Sequence, residues 1–270
     1  MRKRTGPADG SDDARASSPA ASLTRGLEIL RAFTVNDMTL GNQDLIERTG
    51  LPKATVSRLT STLVGLGYLH YDTTLGRYSI GPATISLGYS ALSSSAVVAL
   101  ARPLMQELAD ETGAAVALGM RDGLDMVYAA SCRSMLPVTL RLNIGSRIPM
   151  GRTSMGMAWL ADASAERRAR LLDRIVAADP DHASQIRALS EQAVHDMQTR
   201  GFVGVFGAWY SYINAVGVCL RPSDGTPIVA LTCGGIVDIM PRDLCLEKIG
   251  PMLVGMRDRI DDLLNARVAP

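Results

Sequence analysis

The sequence predicts an α+β protein in two parts: an N-terminal winged helix-turn-helix and, beyond a helical linker, a C-terminal domain with an antiparallel sheet. Three observations lead there. Two short helical patterns flank a Thr49-Gly50-Leu51-Pro52 turn. Alternating residues around Asp72 to Gly76 then read as a two-stranded wing. After Ala114, short strand patterns alternate with amphipathic helices, the signature of a sheet with helices packed on it.

Residues 1–22 carry Arg2-Lys3-Arg4 and then Gly, Pro, Ser, Ala and Asp, a composition too poor in apolar residues to offset the entropy of ordering. They are expected to form a disordered tail. The basic triplet could reach into a DNA groove, but a solvated tail is the simpler reading and carries no functional weight. From Leu23 to Pro82 lies the first domain. Leu23, Leu27, Leu30 and Phe33 recur at three- and four-residue intervals, which places them on one face of a first helix. Leu45 and Ile46 belong to a second helix ending at Gly50, and Pro52 opens a third, since a proline at a helix start costs no hydrogen bond.

At 100° per residue, Pro52, Val56, Leu59, Leu63 and Leu66 share one side of the third helix. Ala54, Ser57, Arg58 and Ser61 share the other, with Lys53 at its edge. A major groove admits a helix whose outward residues are small near the axis and polar at their tips. No acidic residue lies between Pro52 and Leu66. The candidate DNA contacts are therefore Lys53, Ala54, Thr55, Ser57, Arg58 and Ser61 on the helix, with Arg77 on the wing placed to touch phosphate. Between Leu23 and Pro82 six basic residues stand against five acidic ones. So weak an excess points to a dimer or larger homo-oligomer that pools several recognition helices.

Residues 83–112 read as helical and apolar, a linker suited either to dimerisation or to packing on its own chain. Residues 113–270 supply the second domain. Strands are expected at Ala115 to Met120, Asp125 to Ala130, Phe202 to Phe206, Ile213 to Leu220 and Ile228 to Cys233, with a hairpin turn at Pro222-Ser223-Asp224-Gly225. Helices are expected at Thr153 to Ala163, Ala165 to Val176, Ala183 to Arg200 and Arg242 to about Ala266.

Composition excludes more than it assigns. A net charge of +1 rules out a globally basic DNA binder, so any basic patch must be local. Cys132, Cys219, Cys233 and Cys245 lack zinc-ligand spacing, so no metal or other cofactor is expected. Cys219 and Cys233 could be cross-strand neighbours with a redox role, although buried free thiols are the simpler reading. No apolar run approaches membrane-spanning length and no signal peptide is evident, so no membrane partner and a cytoplasmic location are expected. His70, His182 and His195 have no plausible nucleophile in their motifs, which argues against an enzyme.

Taken together, these residues resemble the IclR family of bacterial transcription regulators. The likeness runs from Leu23 to the C-terminus. It rests on Leu27-Glu28-Ile29-Leu30, on the run Thr49 to Leu59, on Gly67-Tyr68-Leu69 and on Gly76 to Gly81. In the second domain it rests on Gly145 to Met150 leading into Thr153 to Ala161, and on Arg200-Gly201-Phe202. The resemblance implies a GAF-like effector-binding domain that takes a small metabolite and changes how a dimer or tetramer grips its operator on double-stranded DNA. It implies a pocket lined by Ser154, Met155, Val205, Ala215, Thr232 and Gly234. Ile46 stands where the family usually has Ala. In a glyoxylate-responsive member, the positions matching Val205 and Gly234 carry an acid and a serine. Without those handles, and with Trp209, Tyr210 and Tyr212 nearby, the expected effector is an apolar or aromatic organic acid, oriented by Ser154, Thr232, Asn214 and the helix start near Thr153. Met and aromatic residues at such positions can equally be plain core. A DNA-binding regulator whose second domain serves only assembly is the alternative.

Overall fold

The computed structural model describes residues 20–135, 140, 142–222 and 227–268. The chain forms two compact units, Met1–Ala91 and Leu92–Pro270. The basic triplet and most of the last hairpin turn lie outside the described residues.

In the first unit, helices α1 (Ala21–Arg31), α2 (Asn42–Thr49) and α3 (Lys53–Gly65) precede the antiparallel hairpin β1 (Leu69–Asp72) and β2 (Arg77–Ile80). Ile29, Leu45, Val56, Leu59, Leu63 and Tyr78 close a small core. The apolar face of α1 is divided: Leu23 and Leu27 are 66% and 51% exposed, whereas Leu30 and Phe33 pack against the core beside the fully buried Ile29. The helix carries two apolar stripes, and the one that includes Ile29 is covered. Leu66, which by spacing shares a side of α3 with the buried Val56, Leu59 and Leu63, is likewise exposed, because the helix ends at Gly65 and the chain turns away at Gly67 (φ 76°).

The segment expected as one linker is two helices with different allegiances. Helix α4 (Pro82–Ser93) buries none of its residues, whereas α5 (Ala96–Thr112) buries Val97, Ala101, Met105 and Leu108 in the core of the second unit.

That unit is built on a six-stranded antiparallel sheet in the order β5-β4-β3-β8-β7-β6. Its strands are β3 (Ala115–Asp122), β4 (Asp125–Arg133), β5 (Arg147–Pro149), β6 (Val203–Phe206), β7 (Ile213–Leu220) and β8 (Val229–Ile236). Strand β5 and the 3-10 turn Met150–Arg152 were not expected from the sequence, since three residues carry no measurable period. One sheet face packs on α5 and the last helix α10 (Gly250–Val268), reached through the short turn α9 (Arg242–Leu244) and a π turn. The other packs on α6 (Ser154–Asp162), α7 (Ala165–Ala178) and α8 (Ala183–Arg200). Alternation along the strands sends Cys233 to the first face and Cys219 to the second. Their registers agree: Cys219 lies opposite Ala230, and Cys233 opposite Val216. All four cysteines are free and buried.

Candidate DNA-reading helix and effector cavity

The turn between α2 and α3 is made by Gly50, which closes α2 in the left-handed region (φ 67°) with its N–H bonded to Ile46 O at 2.8 Å. Pro52 caps α3, and its carbonyl accepts from Thr55 and Val56. The backbone N–H groups of Lys53 and Ala54 are thus left at the positive end of the helix. Lys53, Ala54, Ser57, Arg58 and Ser61 are exposed and Thr55 is half-buried. Among the described residues, the side chains of Lys53, Ser57, Arg58 and Ser61 have no hydrogen-bond or ion-pair partner. On the inner side Thr60, missed in the sequence, is fully buried and donates to Val56 O (2.9 Å), with the Tyr78 hydroxyl of β2 at 3.2 Å.

Arg77 does not stand free on the wing. Its guanidinium donates to Asp44 (2.7 Å), to Thr39 Oγ1 (2.9 Å) and to Thr39 O (3.1 Å), tying β2 to the start of α2. A phosphate would have to share it with Asp44. A second clamp joins Arg48 to Asp37 through two bonds of 2.6 and 2.8 Å and to Ala32 O. The hydrogen bonds from Arg48 and from Thr34 hold the Asp37 carboxyl well below the usual carboxylate range. Two of the acidic residues counted against the domain are therefore already neutralised by partners away from α3.

In the second unit a small cavity of about 40 Å³ lies between the sheet and the start of α6. Its floor follows from register. Ala115 pairs with Gly234, Gly234 with Ala215, and Ala215 with Val205, one row across four strands in which three members are almost without side chain. In the next row Ala117 pairs with Thr232 and Thr232 with Gly217. A Cβ on Gly217 would meet the Ser154 carbonyl at 2.5 Å, so glycine there lets the first turn of α6 sit against β7. Thr232 Oγ1 donates to Val216 O (2.9 Å), which makes Ser154 Oγ the donor in the 2.7 Å bond between the two hydroxyls. Thr153 caps α6, donating to Pro149 O (2.7 Å) and accepting from Gly156 N (3.3 Å). Tyr128, Ile148 and Trp209 form apolar wall, and burial pushes the Tyr128 phenol up so that it stays a neutral donor.

Both parts of the chain match family models, residues 22–73 that of the IclR helix-turn-helix domain and residues 89–240 that of the bacterial transcriptional regulator IclR C-terminal domain. The chain belongs to the IclR family. It is 32% identical to the HTH-type transcriptional regulator TsaQ1/TsaQ2 of Comamonas testosteroni, over 92% of this chain and 90% of that one. The crystal structure of an IclR-family transcriptional regulator from Brucella abortus is similar at 37% identity and TM-score 0.84, covering 97% of each chain. An IclR homologue from Microbacterium hydrocarbonoxydans, crystallised with 4-hydroxybenzoate, shares the fold at 20% identity and TM-score 0.67, over 91% of this chain and 99% of that one. This IclR-family chain is thus a DNA-binding transcriptional regulator and not an enzyme.

Of the six effector positions implied by that family resemblance, Ser154, Val205, Ala215, Thr232 and Gly234 line the cavity. Met155 does not. One residue further round α6, it is fully buried, its Sδ filling the space where Gly119 has no Cβ. Asn214 points to the other sheet face and donates to Met240 O (2.9 Å). Tyr210 and Tyr212 stack on each other, 45% and 54% exposed, and only Trp209 of that trio reaches the cavity. Sequence reasoning missed Arg152, the end of the 3-10 turn, which also lines it. It dismissed His182, which lies beside Arg152. The only available signal was a lone arginine before an apolar helix.

Proposed function

We propose that this regulator controls a catabolic operon as a homo-oligomer, and that a small organic acid with an aromatic or apolar body, bound in the second domain, changes its grip on the operator. The observation that carries the reading is the cavity itself, apolar along its floor and bounded at one end by the start of α6, whose first-turn amides and positive dipole end favour a carboxylate. The 4-hydroxybenzoate bound by the Microbacterium homologue is an acid of this class. On the DNA side, Lys53, Ala54, Thr55, Ser57, Arg58 and Ser61 enter the major groove, with Arg77 holding the wing and sharing a phosphate.

Assembly has its own support. Leu23, Leu27, Leu66 and Leu87, all more than half exposed, line one groove formed by α1, α3 and α4. A monomer rarely leaves so many large apolar side chains together in water, and a second copy presenting the same face would cover them. Changing Leu27 and Leu87 together to Glu is expected to yield monomers in sedimentation and to weaken DNA binding. The central test is a gel-shift titration on a DNA site selected from a random pool, repeated with a panel of aromatic and aliphatic acids. An acid-dependent shift in affinity is expected. Unchanged affinity across the panel would instead favour a second domain used for assembly alone.

A further inference from the structure

Among the described residues lining the cavity Arg152 is the one with a charged side chain, and that side chain is only 20% exposed. A guanidinium offers five N–H donors, and burying them without acceptors is costly. Its surroundings supply few. Asp179 Oδ2 lies 3.2 Å from Nε but off the N–H direction, so that buried N–H has no hydrogen-bond acceptor. Nη1 reaches the His182 Nε2 only at 3.5 Å. Asp179 in turn is held by His182, whose Nδ1 is 2.7 Å from Oδ1. That bond and the nearby Arg152 charge keep the Asp179 carboxyl below its ordinary range. Arg152 thus has a counter-charge but unfilled hydrogen-bonding capacity, at the cavity wall two residues before Ser154.

We propose that Arg152 is the receptor for the carboxylate of the ligand, and that Asp179 is an internal substitute from which the ligand draws it away. The ligand class follows: a monocarboxylate with a flat apolar body, preferred over the neutral amide of the same shape. Thr153, Ser154 and the α6 amides contribute dipoles on one side, and Arg152 supplies the full charge. Because Asp179 and Pro180–His182 join α7 to α8, transfer of Arg152 to a ligand loosens a contact at that joint. This inference rests on the acid-binding reading above and adds the residue that selects the charge.

The test is calorimetry with 4-hydroxybenzoate, benzoate and phenylacetate, each beside its amide, on the full chain. The wild type is expected to prefer the acids, R152M to lose that preference through a fall of about 10- to 100-fold in acid affinity alone, and R152K to recover part of it. D179N, which removes the competing carboxylate, is expected to bind acids more tightly and amides unchanged. It keeps the proposal testable if R152M fails to fold. Acid preference retained in R152M, equal binding of acids and amides by the wild type, or weaker acid binding in D179N would overturn the proposal and leave the acid-binding reading standing. A wild type that binds none of the acids overturns both.

Discussion

Helix α3 presents Lys53, Ser57, Arg58 and Ser61 outward from one continuous segment, whereas the cavity floor is Ala115, Gly234, Ala215 and Val205, one residue from each of four strands. The first surface is made by side chains that are present and unpartnered. The second is made by side chains that are missing, so that α6 can approach the sheet at Gly217 while a void remains beside it. The two should therefore fail in opposite ways, one when atoms are removed and the other when atoms are added.

The largest effect is expected from Ala215→Leu, which places three further carbons in the cavity. Acid binding should vanish in calorimetry, unfolding should shift by no more than about 1–3 kcal/mol, and DNA binding without acid should be unchanged. If acids still bind at wild-type affinity, the void is not the site. Next comes Arg58→Ala, expected to weaken specific DNA binding by about 1–3 kcal/mol and to relax selectivity at one base position in a gel shift. Lys53→Ala should cost less, affect all sequences alike and lower the salt slope by about 1. Were the two substitutions to behave identically, α3 would be reading charge without sequence.

The smallest effect separates fold from reading. Asp37→Asn breaks the Arg48 clamp without touching the outward face of α3, so it should lower the melting temperature and leave specificity intact. Its pH dependence has a definite sign. The Asp37 carboxyl is depressed in the folded state, so the stability it contributes is fully present above the ordinary value of 3.8 and is lost as pH falls through the lower folded value. Wild type and variant should therefore differ at neutral pH and converge in acid. A gap that persists in strong acid would mean that the carboxylate charge is not what the clamp uses.

The sequence made the first domain readable nearly to the residue, since α2, Gly50, α3 and the wing each carry a local signal in period, turn chemistry or cap. Where it misled, at Leu23, Leu27 and Leu66, period alone could not tell a stripe covered by its own chain from one left open. Most strands of the second domain were equally legible. Its cavity was not, because no local pattern shows that Ala115, Gly234 and Ala215 share a row; register does, and the pairing of Ala115 with Gly234 joins strands more than a hundred residues apart. Five positions were reachable only through the family likeness. Met155 came with them and does not line the cavity, since a one-residue step on a helix turns a side chain by about 100°. Arg152 was missed because its meaning comes from Asp179 and His182, which only the fold brings to it.

The division of the sheet into two covered faces also bears on what this regulator can hear. Burial holds the thiols of Cys233 and Cys245 up at about 12 and raises those of Cys132 and Cys219, so almost no thiolate is present to meet a peroxide. The sheet itself stands between Cys219 and Cys233. Under oxidative stress these four thiols should stay reduced, and a redox signal carried by a Cys219–Cys233 disulfide has no route in this fold.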